Sequence, residues 1–171
     1  MKQDIVFTER QKFSQWWIWL VLIGINGIFF SGLVKQLIFN QPFGNNPLSN
    51  AGLVMLSIGF LAFTFLFYMM GLYTKIDVHG IYFRFIPFHS NFTFYPWEKI
   101  SSISICQYKA IKEYGGWGIR GGKKGMAYNV SGNTGIEIEL SNKQKILIGT
   151  RKSAEIKNIL KELAPALLHE G

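Results

Sequence analysis

The chain has 171 residues, 49% of them hydrophobic, with 18 Lys and Arg against 10 Asp and Glu for a formal net charge of +8. A single cysteine, Cys106, excludes an intrachain disulfide. The charge is unevenly spread: Phe13–Val34 and Ala51–Tyr73 hold none, while the portion from Lys75 onward carries 14 Lys and Arg against 8 Asp and Glu.

Two apolar stretches lead the chain, and their lengths predict helices over about 13–38 and 50–73. About 20 apolar residues at 1.5 Å rise match a hydrocarbon core of about 30 Å, and neither stretch has the polar face of a soluble helix. The first is too long for a signal-peptide core and no small-x-small cleavage site follows it. Residues 1–73 therefore read as a transmembrane helical hairpin. Lys2, Arg10 and Lys12 precede it and Lys75 and Arg84 follow it, whereas only Lys35 borders the uncharged loop Gln36–Asn50. Five cations against one predict both termini in the cytoplasm, and Trp16, Trp17, Trp19, Tyr68 and Tyr73 gather at the same expected interface. Asn40, Pro42, Gly44, Asn45, Asn46 and Pro47 supply the turn. Gly24, Gly27, Gly32, Gly52, Ser57 and Gly59 are expected to permit close helix approach. Asn26 is expected to bond across the hairpin near Ser57–Gly59.

From residue 74 to 171 the texture changes to short runs with turn signals, the mark of a cytoplasmic β-rich domain. Strands are expected around Ile76–Val78, Tyr82–Phe85, Phe92–Tyr95, Ile100–Tyr108, Met126–Val130, Ile136–Leu140 and Lys145–Gly149, with a corner at Trp97–Lys99. Ile136, Ile138 and Leu140 alternate with Glu137 and Glu139, and the turn at Ser141–Asn142 should return Lys143 and Lys145 beside those glutamates. Ile156, Ile159, Leu160 and Leu163 make one apolar face of a C-terminal helix over about 152–164, capped by Ser153 or Thr150 and ended by Pro165. The fold class is thus an α+β membrane protein: a two-helix hairpin and a seven-stranded antiparallel sandwich or roll closed by a helix.

The element order, with Tyr95-Pro-Trp-Glu-Lys-Ile-Ser-Ser-Ile103, Tyr114-Gly-Gly-Trp-Gly-Ile-Arg120, Gly125-Met-Ala-Tyr-Asn-Val-Ser-Gly132 and Ile146-Leu-Ile-Gly-Thr150, carries a resemblance over nearly the whole chain. It resembles the small bacterial membrane proteins in which a two-helix hairpin precedes a pleckstrin-homology-like (PH-like) domain. The resemblance implies that architecture and an inner-membrane location. It implies no established activity and transfers no catalytic residue.

Gly115–Gly135 is the richest segment, with eight glycines among its 21 residues. Gly116-Trp-Gly118-Ile-Arg-Gly121 matches the dinucleotide pattern in letters, but that motif needs a strand before it and a helix after it. Trp117 and Lys124 likewise stand where a phosphate-binding loop needs Gly and Ser or Thr. Two readings of the segment stay open. In one, Lys109, Lys112, Trp117, Arg120, Lys123 and Lys124, with Tyr114 among them, press on anionic headgroups. In the other, the glycines shape a long hairpin, Trp117 packs inward and the lysines are solvated.

His79, His89, His169 and Cys106 are too scattered for a metal site, and no nucleophile elbow exists, so neither cofactor nor enzyme activity is expected. No groove-reading helix or stacking motif suggests nucleic acid. Asn91-Phe-Thr93 and Asn129-Val-Ser131 match glycosylation sequons on the expected cytoplasmic side. The expected function is non-enzymatic display of a binding module at the membrane, with lipid or protein as partner. The alternatives are a protein-interaction scaffold or a regulatory subunit of a membrane complex, small channel or transporter.

Overall fold

The computed structural model describes residues 5–122 and 124–169. The chain divides into two compact units, one within Met1–Phe13 and Met70–Gly171, the other Ser14–Met69. The expected boundary after residue 73 is therefore displaced, and residues 5–13 belong to the β-rich unit.

The helical unit holds α1 (Trp16–Leu33), which closes in a π-helical turn at Val34–Ile38, and α2 (Asn50–Met69). Both are long and apolar enough to cross a membrane, and only Leu22, Gly32 and Leu53 are buried along the two α-helices. A soluble core helix would bury a whole face, so almost all of this apolar surface is left without a protein partner. The second helix ends at Met69, short of the expected 73, because the chain enters a strand at Gly71.

Phe29 stacks on Phe60 with ring centroids 4.8 Å apart, and Trp19 meets Tyr68 edge-on at 6.4 Å. Asn26 Nδ2 donates to Thr64 Oγ1 and to the Leu22 carbonyl, both at 2.7 Å, so its partner lies lower on α2 than the expected Ser57–Gly59. The turn sets this register. Gln36 Nε2 donates to the Leu48 carbonyl at 2.7 Å and Asn50 Oδ1 at 2.8 Å, and the Phe43 ring covers Gly32. Gly24, Gly27 and Gly59 have open space where a Cβ would stand, so the helix approach does not need them, contrary to expectation.

The β-rich unit opens with β1 (Ile5–Lys12), an element the sequence reading missed. It continues through β2 (Gly71–Asp77), β3 (Gly80–Ile86) and β4 (Thr93–Pro96), which form an antiparallel sheet in the order β1-β2-β3-β4. Then come β5 (Ile100–Gln107), a short helix α3 (Ala110–Tyr114), β6 (Gly118–Gly122), β7 (Gly125–Asn129), β8 (Thr134–Leu140), β9 (Lys145–Gly149), α4 (Ser153–Leu163) and β10 (Leu168–His169). Their sheet runs β10-β5-β8-β9-β7-β6 and is mixed, since β7 lies parallel to β9 and β10 parallel to β5. The expectation of seven antiparallel strands is corrected to ten strands among the described residues. α4 packs on β1 and β8 through the fully buried Ile156 and Leu160.

β1 buries Phe7, Glu9 and Gln11 and exposes Val6, Thr8 and Arg10. Polar residues in an inward row cost free energy unless they are bonded. Here Glu9 is bonded through both carboxylate oxygens, while Gln11 is bonded through its amide nitrogen only, its Oε1 having no partner. Gln11 Nε2 donates to the Gly149 carbonyl at 2.7 Å. The Glu9 carboxylate accepts from Thr150 Oγ1 at 2.6 Å and from the Arg151 amide at 2.9 Å. Thr150 Oγ1 in turn accepts from the Lys152 amide at 3.0 Å, but Lys152 is itself the N-cap residue and no side chain caps α4, so the expected cap by Ser153 or Thr150 is not formed. Arg151 reaches Ser131 Oγ through Nε at 3.0 Å. The start of the chain is thereby bonded to the segment that launches the last helix. Truncating the carboxylate strands two buried donors, and hydrogen bonds to charged groups contribute about 1.5–3 kcal/mol each. Glu9→Ala should lower the unfolding free energy of the β-rich unit by roughly 2–4 kcal/mol, read from denaturant unfolding of the full chain in detergent.

Candidate functional site

The expected contact segment does not remain a single basic loop. Lys109 lies just before α3, and its amide donates to Glu113 Oε1 at 2.9 Å. Glu113 Oε2 pairs with Lys124 Nζ at 2.7 Å. The hydrogen bond to Lys124, the Lys109 amide and the nearby positive charge hold the Glu113 carboxyl below its ordinary range. Gly115 ends α3 at φ +72°, where it donates to the Ile111 carbonyl while the Gly116 amide reaches the Ala110 carbonyl. The Gly115 bond is the five-to-one closure of an αL ending, which needs the left-handed conformation that glycine adopts freely. The remaining glycines serve β6, β7, the turn after them and the start of β8, so the expected long hairpin is instead a helix followed by a β6–β7 hairpin.

Trp117 is half-buried, donates through Nε1 to the Gly132 carbonyl at 3.3 Å, and packs against a cluster of Tyr108, Ala110, Tyr114, Ala127 and Leu147. Arg120 is exposed, and its Nε donates to the Trp117 carbonyl at 3.2 Å. Lys109, Lys112 and Trp117 line a shallow hollow of about 310 Å³ beside Tyr108 and Gly132. Lys124 instead lines a separate cleft, and Lys123 lies outside the described residues.

That cleft, of about 610 Å³, lies by the first residues of β7 and β9, with Tyr95, Met126, Tyr128, Lys124, Lys143 and Lys145 around it. Its shape depends on Gly125, whose φ is +109° and where a Cβ would run into the Lys145 carbonyl oxygen. Lys145 sits between Glu137 at 3.4 Å and Glu139 at 3.3 Å, which raises its pKa. The expected cross-strand pairing is thus made by Lys145, while Lys143 occupies the turn at φ +65°. With Lys124 held by Glu113, two of the three cleft lysines already face carboxylates.

A third arrangement was missed by the sequence reading. On the outer face of the first sheet, Arg10, Tyr73 and Arg84 stand opposite one another in register. Their alternation with buried residues was the available signal, but β1 was hidden by Glu9 and Gln11 in the inward row.

Among the described residues no three His, Cys, Asp or Glu side chains come together as metal ligands would. Burial, with Glu137 adding in the same direction, pushes the Cys106 thiol up. A thiol so shifted is protonated at neutral pH and is a weak nucleophile.

Burial also pushes Tyr108 up to about 12, and Tyr114, Tyr95 and Tyr128 rise for the same leading reason. Above pH of about 10 the unfolded chain releases these protons while the folded domain keeps them. The folded state then binds more protons, so stability should fall as pH rises from about 10 to 12. Tyr108→Phe should make that fall shallower, as read from unfolding midpoints across the alkaline range. No protein-family model matches the chain, and no curated protein shows significant similarity to it.

Proposed function

We propose that the protein is a non-enzymatic integral membrane protein whose hairpin anchors a PH-like binding module at the cytoplasmic surface of the inner membrane. The observation that carries this reading is the pair of long apolar helices left almost wholly unburied. In water that surface would drive aggregation, whereas in a hydrocarbon core it is matched. β1 precedes the first helix, β2 follows the second, and the two pair from Ile5↔Asp77 to Lys12↔Gly71. Both ends of the hairpin thus return to one folded domain, which two crossings allow and one crossing forbids. The excess of Lys and Arg at those ends supports the cytoplasmic side. The PH-like reading draws support from two sheets closed by α4. It departs from the simple plan in the mixed second sheet and in the strand supplied by the N-terminal segment. Anchoring raises the local concentration of the module, so a weak lipid contact becomes effectively intramolecular.

The protein-scaffold reading keeps one observation of its own. β6 ends the second sheet and exposes Arg120, Gly121 and Gly122, an edge to which an extended peptide can add. Recovery of a stoichiometric protein partner by the purified full chain favours it.

The anchor is tested by alkaline carbonate extraction, which should leave the protein in the membrane pellet; release into the supernatant overturns it. Orientation is tested in a Cys106→Ser background with an impermeant maleimide. An Asn45→Cys variant should label in intact cells and an Asn142→Cys variant only after permeabilisation, and the reverse pattern overturns the cytoplasmic assignment.

A further inference from the structure

The outer face of the first sheet carries cations mounted on aromatic rings. Arg10 Cζ lies 5.1 Å from the Tyr73 ring centroid, and Arg84 Cζ lies 5.0 Å from it. Arg84 Cζ is also 4.7 Å from the Phe92 centroid, and Lys75 Nζ is 4.6 Å from the same ring. Beside them Tyr82 stacks on Phe94 at 4.2 Å. Among the described residues no carboxylate stands within ion-pair distance of Arg10, Lys75 or Arg84. The acidic side chain of the β2 row is Asp77, which is buried and accepts from the His79 and Gly80 amides at 2.7 and 3.1 Å. The rings hold the cations in place without neutralising them, since a cation–π contact leaves the net charge intact. By contrast, two of the three lysines of the 610 Å³ cleft already face carboxylates.

We infer that this face, Arg10, Lys75 and Arg84 on their Tyr73 and Phe92 platform, is the surface by which the domain contacts an anionic lipid leaflet. The inference rests on the anchored reading above. Spacing decides the kind of partner. Arg10 and Arg84 lie two strands apart, about 9–10 Å at the backbone, with Tyr73 between them in register. Each guanidinium is held about 5 Å from the same Tyr73 ring rather than paired with the other. A row of separate cations on a sheet face suits a plane of separate phosphates. Chain continuity points the same way: β1 runs into α1 through Phe13–Gln15, and β2 leaves α2 through Met70. The strands that carry Arg10, Tyr73 and Lys75 are therefore the ones tied directly to both apolar helices.

The test uses the full chain with Cys106→Ser and a Thr8→Cys variant bearing an environment-sensitive fluorophore, reconstituted in phosphatidylcholine vesicles with or without phosphatidylglycerol. At low salt the label should be shielded from an aqueous quencher in the anionic vesicles and open in the neutral ones. Raising salt should remove the difference, because the Debye length falls from about 30 Å at 0.01 M to about 3 Å at 1 M. Each of Arg10→Gln, Lys75→Gln and Arg84→Gln should weaken the shielded state roughly 5-fold, the equivalent of about 1 kcal/mol per cation at such a surface. Arg10→Lys with Arg84→Lys should keep most of the shielding, which separates loss of charge from loss of folding. Equal quenching in both vesicles, or shielding unchanged in the glutamine variants, overturns the inference. So does shielding that follows added DNA and not lipid. If the protein fails to float with neutral vesicles, the anchored reading falls separately. The face then still stands if flotation with anionic vesicles is lost in the glutamine variants, and falls if no such flotation occurs.

Discussion

The pairing of β1 with β2 is the constraint on which the rest of the β-rich unit depends. It joins residues that lie on either side of the whole helical hairpin in sequence, and it places Glu9 and Gln11 in the interior. Once inside, the Glu9 carboxylate and the Gln11 amide nitrogen find their partners in Gly149, Thr150 and Arg151 at the junction between β9 and α4. One short strand therefore connects the first sheet, the end of the second and the closing helix. Leaving a charge of this kind buried without its partners is among the costlier faults a small domain can suffer.

Much of the fold was legible in the sequence, and the parts that were not have a common cause. The apolar helices announced themselves by length, and β8 by the alternation of Ile136, Ile138 and Leu140 with Glu137 and Glu139. α4 was read within a residue or so from its apolar stripe. β1 escaped because its inward row mixes Phe7 with Glu9 and Gln11, so a pattern search sees polarity where the structure has burial. β6 escaped because Gly118, Gly121 and Gly122 carry no side chains to alternate, and β10 because two residues make no pattern. The hairpin register was displaced because the turn is closed by Gln36 and Phe43, a detail no spacing rule contains.

The candidate site followed the same logic. Reading by proximity in sequence gathered Lys109 to Lys124 into one basic loop, and a helix, a hairpin and an ion pair with Glu113 divide them. Reading by register instead gathers Arg10, Tyr73, Lys75, Arg84 and Phe92, which span more than eighty positions of chain. Local clustering of positive residues is thus a poor guide to charge density in a sheet, where neighbours come from different strands. Trp117, conspicuous among the glycines, is half-buried: it packs on a core cluster and also lines the shallow hollow with Lys109 and Lys112.

The pairing of Lys12 with Gly71 also has a bearing on biogenesis. These residues bracket the hairpin and are held one strand spacing apart, so the intervening chain forms a loop closed by the β ladder. β1 is synthesised first, yet its partner does not exist until both apolar helices have been made. The N-terminal segment must wait until both helices have been made, and only a chain whose two helices have turned back can complete the first sheet. On the anchored reading proposed above, completion of the sheet is therefore a structural check on the hairpin: a chain that crossed once would leave β1 and β2 with unpaired edges on opposite sides of a bilayer.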